Sequence, residues 1–151
     1  VSVSNGGYVE ANNSSISNNR SCNIEVTDSA FADLYQSSIL CSAGSQGVHV
    51  SGTDTGAHIS ACTIDQNFAS NVVVEDGASV TIQGGSCNQS VERKGILVIG
   101  EGSTCTASNT KSTGNKEGDV VSETGGSVTL RDCDLDTLSL QGISNYVDLS
   151  S

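Results

Sequence analysis

The chain has 151 residues, with 17 acidic side chains against 6 Lys and Arg and a formal net charge of −11. Nucleic acid and anionic lipid are held by clustered Lys and Arg, so this balance excludes both as partners. No apolar run is long enough to insert in a membrane as a helix, and the length suits a single domain over residues 1–151.

The first element, Val1-Ser2-Val3, is an apolar-x-apolar pair that returns as Ile24 and Val26, Val48 and Val50, Val72 and Val74, and Ile96 and Val98. Its openers Ile24, Val48, Val72, Ile96 and Val120 stand at identical intervals. A corner of Gly and small residues follows, as in Asn5-Gly6-Gly7, Asp76-Gly77 and Thr124-Gly125-Gly126. The second pair comes next: Val9 and Ala11, Ala32 and Leu34, Ala57 and Ile59, Val80 and Ile82, Cys105 and Ala107, Val128 and Leu130. A third apolar slot reads Ile16, Ile39, Ile64, Cys87 and Leu135, with Ser112 as its exception.

Alternation over two or three residues is strand periodicity, and the glycine-rich interruptions are turn chemistry. Self-similarity at a fixed period means units that bury an apolar face only against one another. The chain is therefore expected to be all-β: a single-stranded right-handed parallel β-helix of about six rungs of ~24 residues, with three short strands per rung. Rungs would rise by about 4.7–4.9 Å each. Ile143, Val147 and Leu149 are expected to begin a partial seventh rung, and no helix is expected.

The strings Ser14-Ser15-Ile16-Ser17-Asn18-Asn19 and Cys62-Thr63-Ile64-Asp65-Gln66-Asn67 resemble the repeat of the right-handed parallel β-helix superfamily, which includes pectate lyases and polygalacturonases. The Gly-Gly-x-Val corners and Phe68-Ala69-Ser70-Asn71 are similar to repeats of polymorphic outer-membrane-type surface proteins. The resemblance implies a scaffold rather than an activity. The Asn-x-Asp, Asp-Asp, Gly-His and Arg-x-Lys strings of the polygalacturonase-like enzymes are absent, so no catalytic residue is carried over.

Outward slots are where function would sit, because the residue between two inward ones faces solvent. Glu10, Asp33 and His58 fall in one such column on successive rungs and are the candidates for carbohydrate binding. Val73, Leu97 and Val121 fall in another and predict an exposed apolar stripe, either a partner surface or the seat of a tail such as Ser144 to Ser151. Asp132, Asp134 and Asp136 alternate without a converging set of oxygens, so they predict a solvated strand rather than a calcium site.

The six cysteines fall one to a rung, with no Cys-x-x-Cys and no His at ligand spacing, so neither a metal nor a cofactor is expected. An even count on an acidic chain predicts an oxidising compartment, with Cys22–Cys41 and Cys62–Cys87 as candidate disulfides. Asn12, Asn13, Asn19 and Asn88 each begin an Asn-x-Ser sequon and are candidate glycosylation sites.

Val1 and Val3 open directly in a strand and Val147 and Leu149 resemble another, with no amphipathic cap between them and solvent. Uncapped stacks pair with other chains. The leading expectation is a secreted structural protein, extracellular or at the cell surface, whose β-helices self-assemble head to tail or side by side into a fibre, coat or layer. One alternative is a carbohydrate-binding module, or the non-catalytic core of a polysaccharide-acting β-helix protein, with a glycan as partner. The other is an excised segment of a larger surface adhesin.

Overall fold

A computed structural model describes residues 1–141 and 144–149. The chain winds into a parallel β-solenoid of about six turns, and no helix occurs among the described residues. The first sheet stacks Ser2–Val3, Ile24–Val26, Val48–Ser51, Val72–Glu75, Ile96–Ile99, Val120–Glu123 and Leu138–Leu140. The second stacks Tyr8–Asn12, Phe31–Tyr35, Gly56–Ser60, Ser79–Gln83, Thr104–Ser108, Ser127–Arg131 and Tyr146–Asp148. The third side is more broken. Ser15–Ser17 pairs with Ser38–Leu40 and Lys111–Ser112 with Asp134–Leu135, and single bridges at Thr63 and Ser86 link the two pairs.

Ile24, Val48, Val72, Ile96 and Val120 lie in register over one another, each at most 1 % exposed. The two inward columns of the second sheet also run in the expected register, from Val9 to Val128 and from Ala11 to Leu130. Branched aliphatics suit these columns because their stiff side chains pack against the copy one rung away. Ser112, the exception in the third column, is fully buried and donates its hydroxyl to the carbonyls of Cys87 (3.0 Å) and Asp119 (2.9 Å).

The corner between the second sheet and the third side repeats one backbone device. Asn13, Gln36, Ala61, Gly84, Asn109 and Asp132 all take a left-handed conformation, with φ from 47° to 67°. The next residue then turns a Ser, Thr or Cys side chain inward to a carbonyl two residues back. Ser37 donates to Tyr35 O (2.9 Å), Thr110 to Ser108 O (3.0 Å), and Cys62 and Cys133 to Ser60 O and Arg131 O (both 3.4 Å). Gly85 fills this slot in the fourth rung, where a Cβ would stand 2.1 Å from Cys62 O.

A polar ladder runs inside the third corner. Asn19 Nδ2 donates to Asn23 Oδ1 (2.7 Å), Asn23 to Asn67 (2.9 Å), Asn67 to Asn71 (2.9 Å), Asn71 to Asn115 (3.1 Å) and Asn115 to Asp119 Oδ1 (2.7 Å). Its members recur at every second rung, as Asn19–Asn67–Asn115 and Asn23–Asn71–Asp119. The rungs between carry Gly47 and Gly95, where an added Cβ would lie 2.5 Å from the Asn67 and Asn115 amide nitrogens. The amides thus occupy the space of the alternate rungs, and every buried side-chain N and O among the described residues has a partner.

The seventh rung opens earlier than the sequence suggests. Leu138 pairs with Val120 after a turn shorter than those before it, because the third-corner loop is missing here. Asp119 Oδ2 closes the shortened corner by accepting from Asp136 N (3.0 Å), Thr137 N (2.8 Å) and Thr137 Oγ1 (3.0 Å). Val147 pairs with Leu130 in that rung, and the expected role of Ile143 lies outside the described residues.

Candidate functional site

The outer face of the second sheet carries the most distinctive surface. Tyr8 and Phe31 occupy one outward column on adjacent rungs, their rings nearly parallel (7°) with centroids 6.4 Å apart. Next to that column run Glu10, Asp33 and His58, in register as the sequence implied, with His58 Nδ1 3.3 Å from Asp33 Oδ1. Tyr35 takes the third outward position of the same face, between Asn12 and Ser60 on the neighbouring rungs. Desolvation first, then the Asp33 and Glu10 carboxylates, hold the Tyr8 phenol above its usual pKa.

The aromatic column becomes small in the next rungs, and the polar column does so only after His58. Gly56 and Ser79 continue the aromatic column, and Gly56 leaves room for the Phe31 ring, whose carbons would meet an added Cβ at 3.0 Å. A groove of about 490 Å³ results, bounded by Phe31 at one end and lined by Asp54, Gly56, His58, Ser79 and Thr81. Sequence reasoning found the polar column and missed the aromatic one. The signal was available: Tyr8 and Phe31 each directly precede the first inward residue of their strand, Val9 and Ala32.

The second face of interest lies outside the first sheet. His49 Nε2 is 2.7 Å from Glu75 Oε1, and its Nδ1 is 4.0 Å from Glu25 Oε1. Cys22, at the end of the preceding loop, completes the group and donates to Gln46 Oε1 at 3.1 Å. A hydrogen bond with Cys22 is the main cause that raises the His49 pKa to about 9, against the opposing effect of burial and with help from Glu75. For Cys22 burial acts upward, but hydrogen bonds with His49 and Ser45 outweigh it and lower the thiol. In the sequence Cys22 and His49 are separated by more than a full rung, far from any metal-ligand spacing. One turn of the coil brings them together.

Several expected sites are corrected by the structure. The Val73–Leu97–Val121 stripe points outward but is not open: Val73 and Val121 are only 3 % and 5 % exposed and Leu97 is half-buried. Third-corner loop residues stand over it, while the described strand Tyr146–Asp148 pairs in the second sheet. Val73 and Leu97 line a groove with Ser45, Gln46 and Lys94, whose ammonium reaches Glu117 (3.4 Å) and Glu123 (3.5 Å), while Gly118 stands against Val121.

All six cysteines are free thiols. Neither the Cys22–Cys41 nor the Cys62–Cys87 bridge is formed in this structure. Cys22 turns to Gln46, while Cys41 sits at a left-handed corner near Gln66. Cys62 bonds inside the second corner, whereas Cys87 belongs to the third inward column.

Asn12 and Asn13 are exposed, but Asn19 spends its amide on the internal ladder and Asn88 Oδ1 accepts from Thr113 N (2.9 Å). Asp134 and Asp136 diverge, the first toward Lys111 (3.5 Å) and the second toward Gly114 N (3.2 Å). Val1 is exposed and Val3 half-buried at the first rung, and Val147 and Leu149 are exposed at the last.

The architecture is that of a parallel β-solenoid with an aromatic and acidic outer face. Comparison with protein-family models, with curated proteins and with solved structures finds no match for this chain.

Proposed function

We propose that the outer face of the second sheet binds an oligosaccharide, making the protein a non-catalytic carbohydrate-binding module that works outside the cell or at its surface. The observation that carries this reading is the pair of exposed parallel rings of Tyr8 and Phe31 beside the Asp33–His58 pair. All five aromatic residues of the chain are at least 42 % exposed, so none serves the core. Aromatic rings on water-facing positions cost solvation without a partner, and a contiguous set of them marks a binding surface.

The C–H face of a pyranose stacks on such rings, and its hydroxyls find acceptors in Glu10 and Asp33 and a hydrogen-bonding partner in His58. Rungs about 4.7–4.9 Å apart repeat at close to the length of one sugar unit, so a chain lying along the coil axis meets equivalent positions at successive rungs. The two carboxylates and the overall charge of −11 favour neutral or amino sugars over uronates. This separates the proposal from pectate-type ligands of the superfamily that the repeats resemble.

A glycan microarray probed with the full chain tests it. Binding to neutral or amino-sugar oligomers is expected, and Phe31→Ala should weaken it at least tenfold, about 1.4 kcal/mol. Absence of binding to any glycan on the array, or affinity unchanged in Phe31→Ala, contradicts the reading.

A second reading, homo-assembly through the last strands, is favoured by exposed Leu138, Tyr146, Val147 and Leu149. It expects concentration-dependent oligomers in sedimentation velocity that Val147→Asp abolishes. A single species over all concentrations counts against it.

A further inference from the structure

We propose that Cys22, Glu25 and His49 form a binding site for a divalent transition metal of the zinc class, with Glu75 orienting the histidine. The three side chains offer a thiolate, a carboxylate oxygen and an imidazole nitrogen, and their ligand atoms all lie within 4.8 Å of one another. A tetrahedral zinc ion with bonds of about 2.0–2.3 Å sets its ligands roughly 3.5 Å apart, so modest side-chain rotations close the set.

The histidine geometry is what makes this a site rather than a cluster. Nε2 is committed to Glu75 Oε1 at 2.7 Å, which leaves Nδ1, 4.0 Å from Glu25 Oε1, as the nitrogen that faces the ion. A carboxylate holding the far nitrogen of a metal-binding histidine fixes its tautomer and raises its basicity. Gln46 Oε1, 3.1 Å from the Cys22 sulfur, stands where it supplies the fourth ligand or yields that position to water.

Ligand chemistry selects the metal. Thiolate with imidazole favours zinc and its neighbours over calcium or magnesium, which prefer sets made of oxygen alone. All three ligands are half-buried, so an ion can enter from solvent and is still shielded on one side. The site lies outside the first sheet, away from the aromatic face, and it does not depend on glycan binding.

Titration of the reduced full chain with Co²⁺ tests the proposal through thiolate-to-cobalt charge-transfer absorption. One equivalent should produce the band and Zn²⁺ should displace it. Cys22→Ser should abolish the band, Cys41→Ser should leave it intact, and Glu75→Gln should weaken the affinity by about 10- to 100-fold. No band with the unmodified chain, Co²⁺ bound without a band, or a band retained in Cys22→Ser overturns the proposal. Should Cys22→Ser fail to fold, the unmodified chain still decides: Zn²⁺ is expected to protect Cys22 from alkylation, and an unprotected Cys22 overturns the site.

Discussion

Asn71 is fully buried, and its side chain makes four hydrogen bonds at once, one of them a long acceptance from Asn67 N (3.4 Å). Nδ2 donates to Asn88 O (2.8 Å) and Asn115 Oδ1 (3.1 Å), and Oδ1 accepts from Asn67 Nδ2 (2.9 Å). Replacing it strands partners inside the column, where an unsatisfied group costs the full loss of its hydration. Asn71→Ala should therefore lower the stability read from urea unfolding by about 2–4 kcal/mol, well above an exposed Asn12→Ala control. The thiols divide as sharply. Burial pushes Cys105 up to about 12 and Cys87 and Cys62 above their usual values, whereas Cys22 and Cys41 are only half-buried. Thiolate is the reactive form. Alkylation followed by intact mass should modify Cys22 and Cys41 in the native chain and all six cysteines after unfolding without reductant. Fewer than six would reveal a disulfide.

Corners, rather than strands, fix the coil's course. Gly85 has φ +79° and no room for a Cβ, while Gly6 has a similar φ of +69° and open space around it. Gly85→Ala carries both strain and a backbone clash, Gly6→Ala strain alone. Thermal unfolding should show about 1 kcal/mol lost for Gly6→Ala and several-fold more for Gly85→Ala. This difference explains what was legible beforehand. Inward slots such as Ile24 and Val48 could be read because they repeat one apolar type at one spacing. The cover of the Val73–Leu97–Val121 stripe is not legible because it is made of loops, and neither Lys94 nor Gly118 announces in the sequence which strand it lies over. The asparagine ladder hid in a period twice that of the rung, inside a chain rich in Asn and Ser.

At the scale of the molecule, winding converts distance along the chain into adjacency. Residues one turn apart, such as Glu10 with Asp33 or Cys22 with His49, become neighbours, so each outer face is a register of positions rather than a motif. The polar half of the candidate site, Glu10, Asp33 and His58, was legible from that register alone. Its aromatic half and the groove beside it depended on Tyr8, Phe31 and Gly56, whose side-chain sizes matter only when seen across rungs. The core is a narrow column of Val, Ile, Leu, Ala and Cys with no aromatic residue among its members. The aromatics are left to the surface. The most direct measurement is NMR titration of the full chain with an oligosaccharide that binds on the array. The amides of Tyr8, Phe31, Asp33, Gly56, His58 and Thr81 should shift together; shifts confined to the first sheet or the third side would contradict glycan recognition on this face.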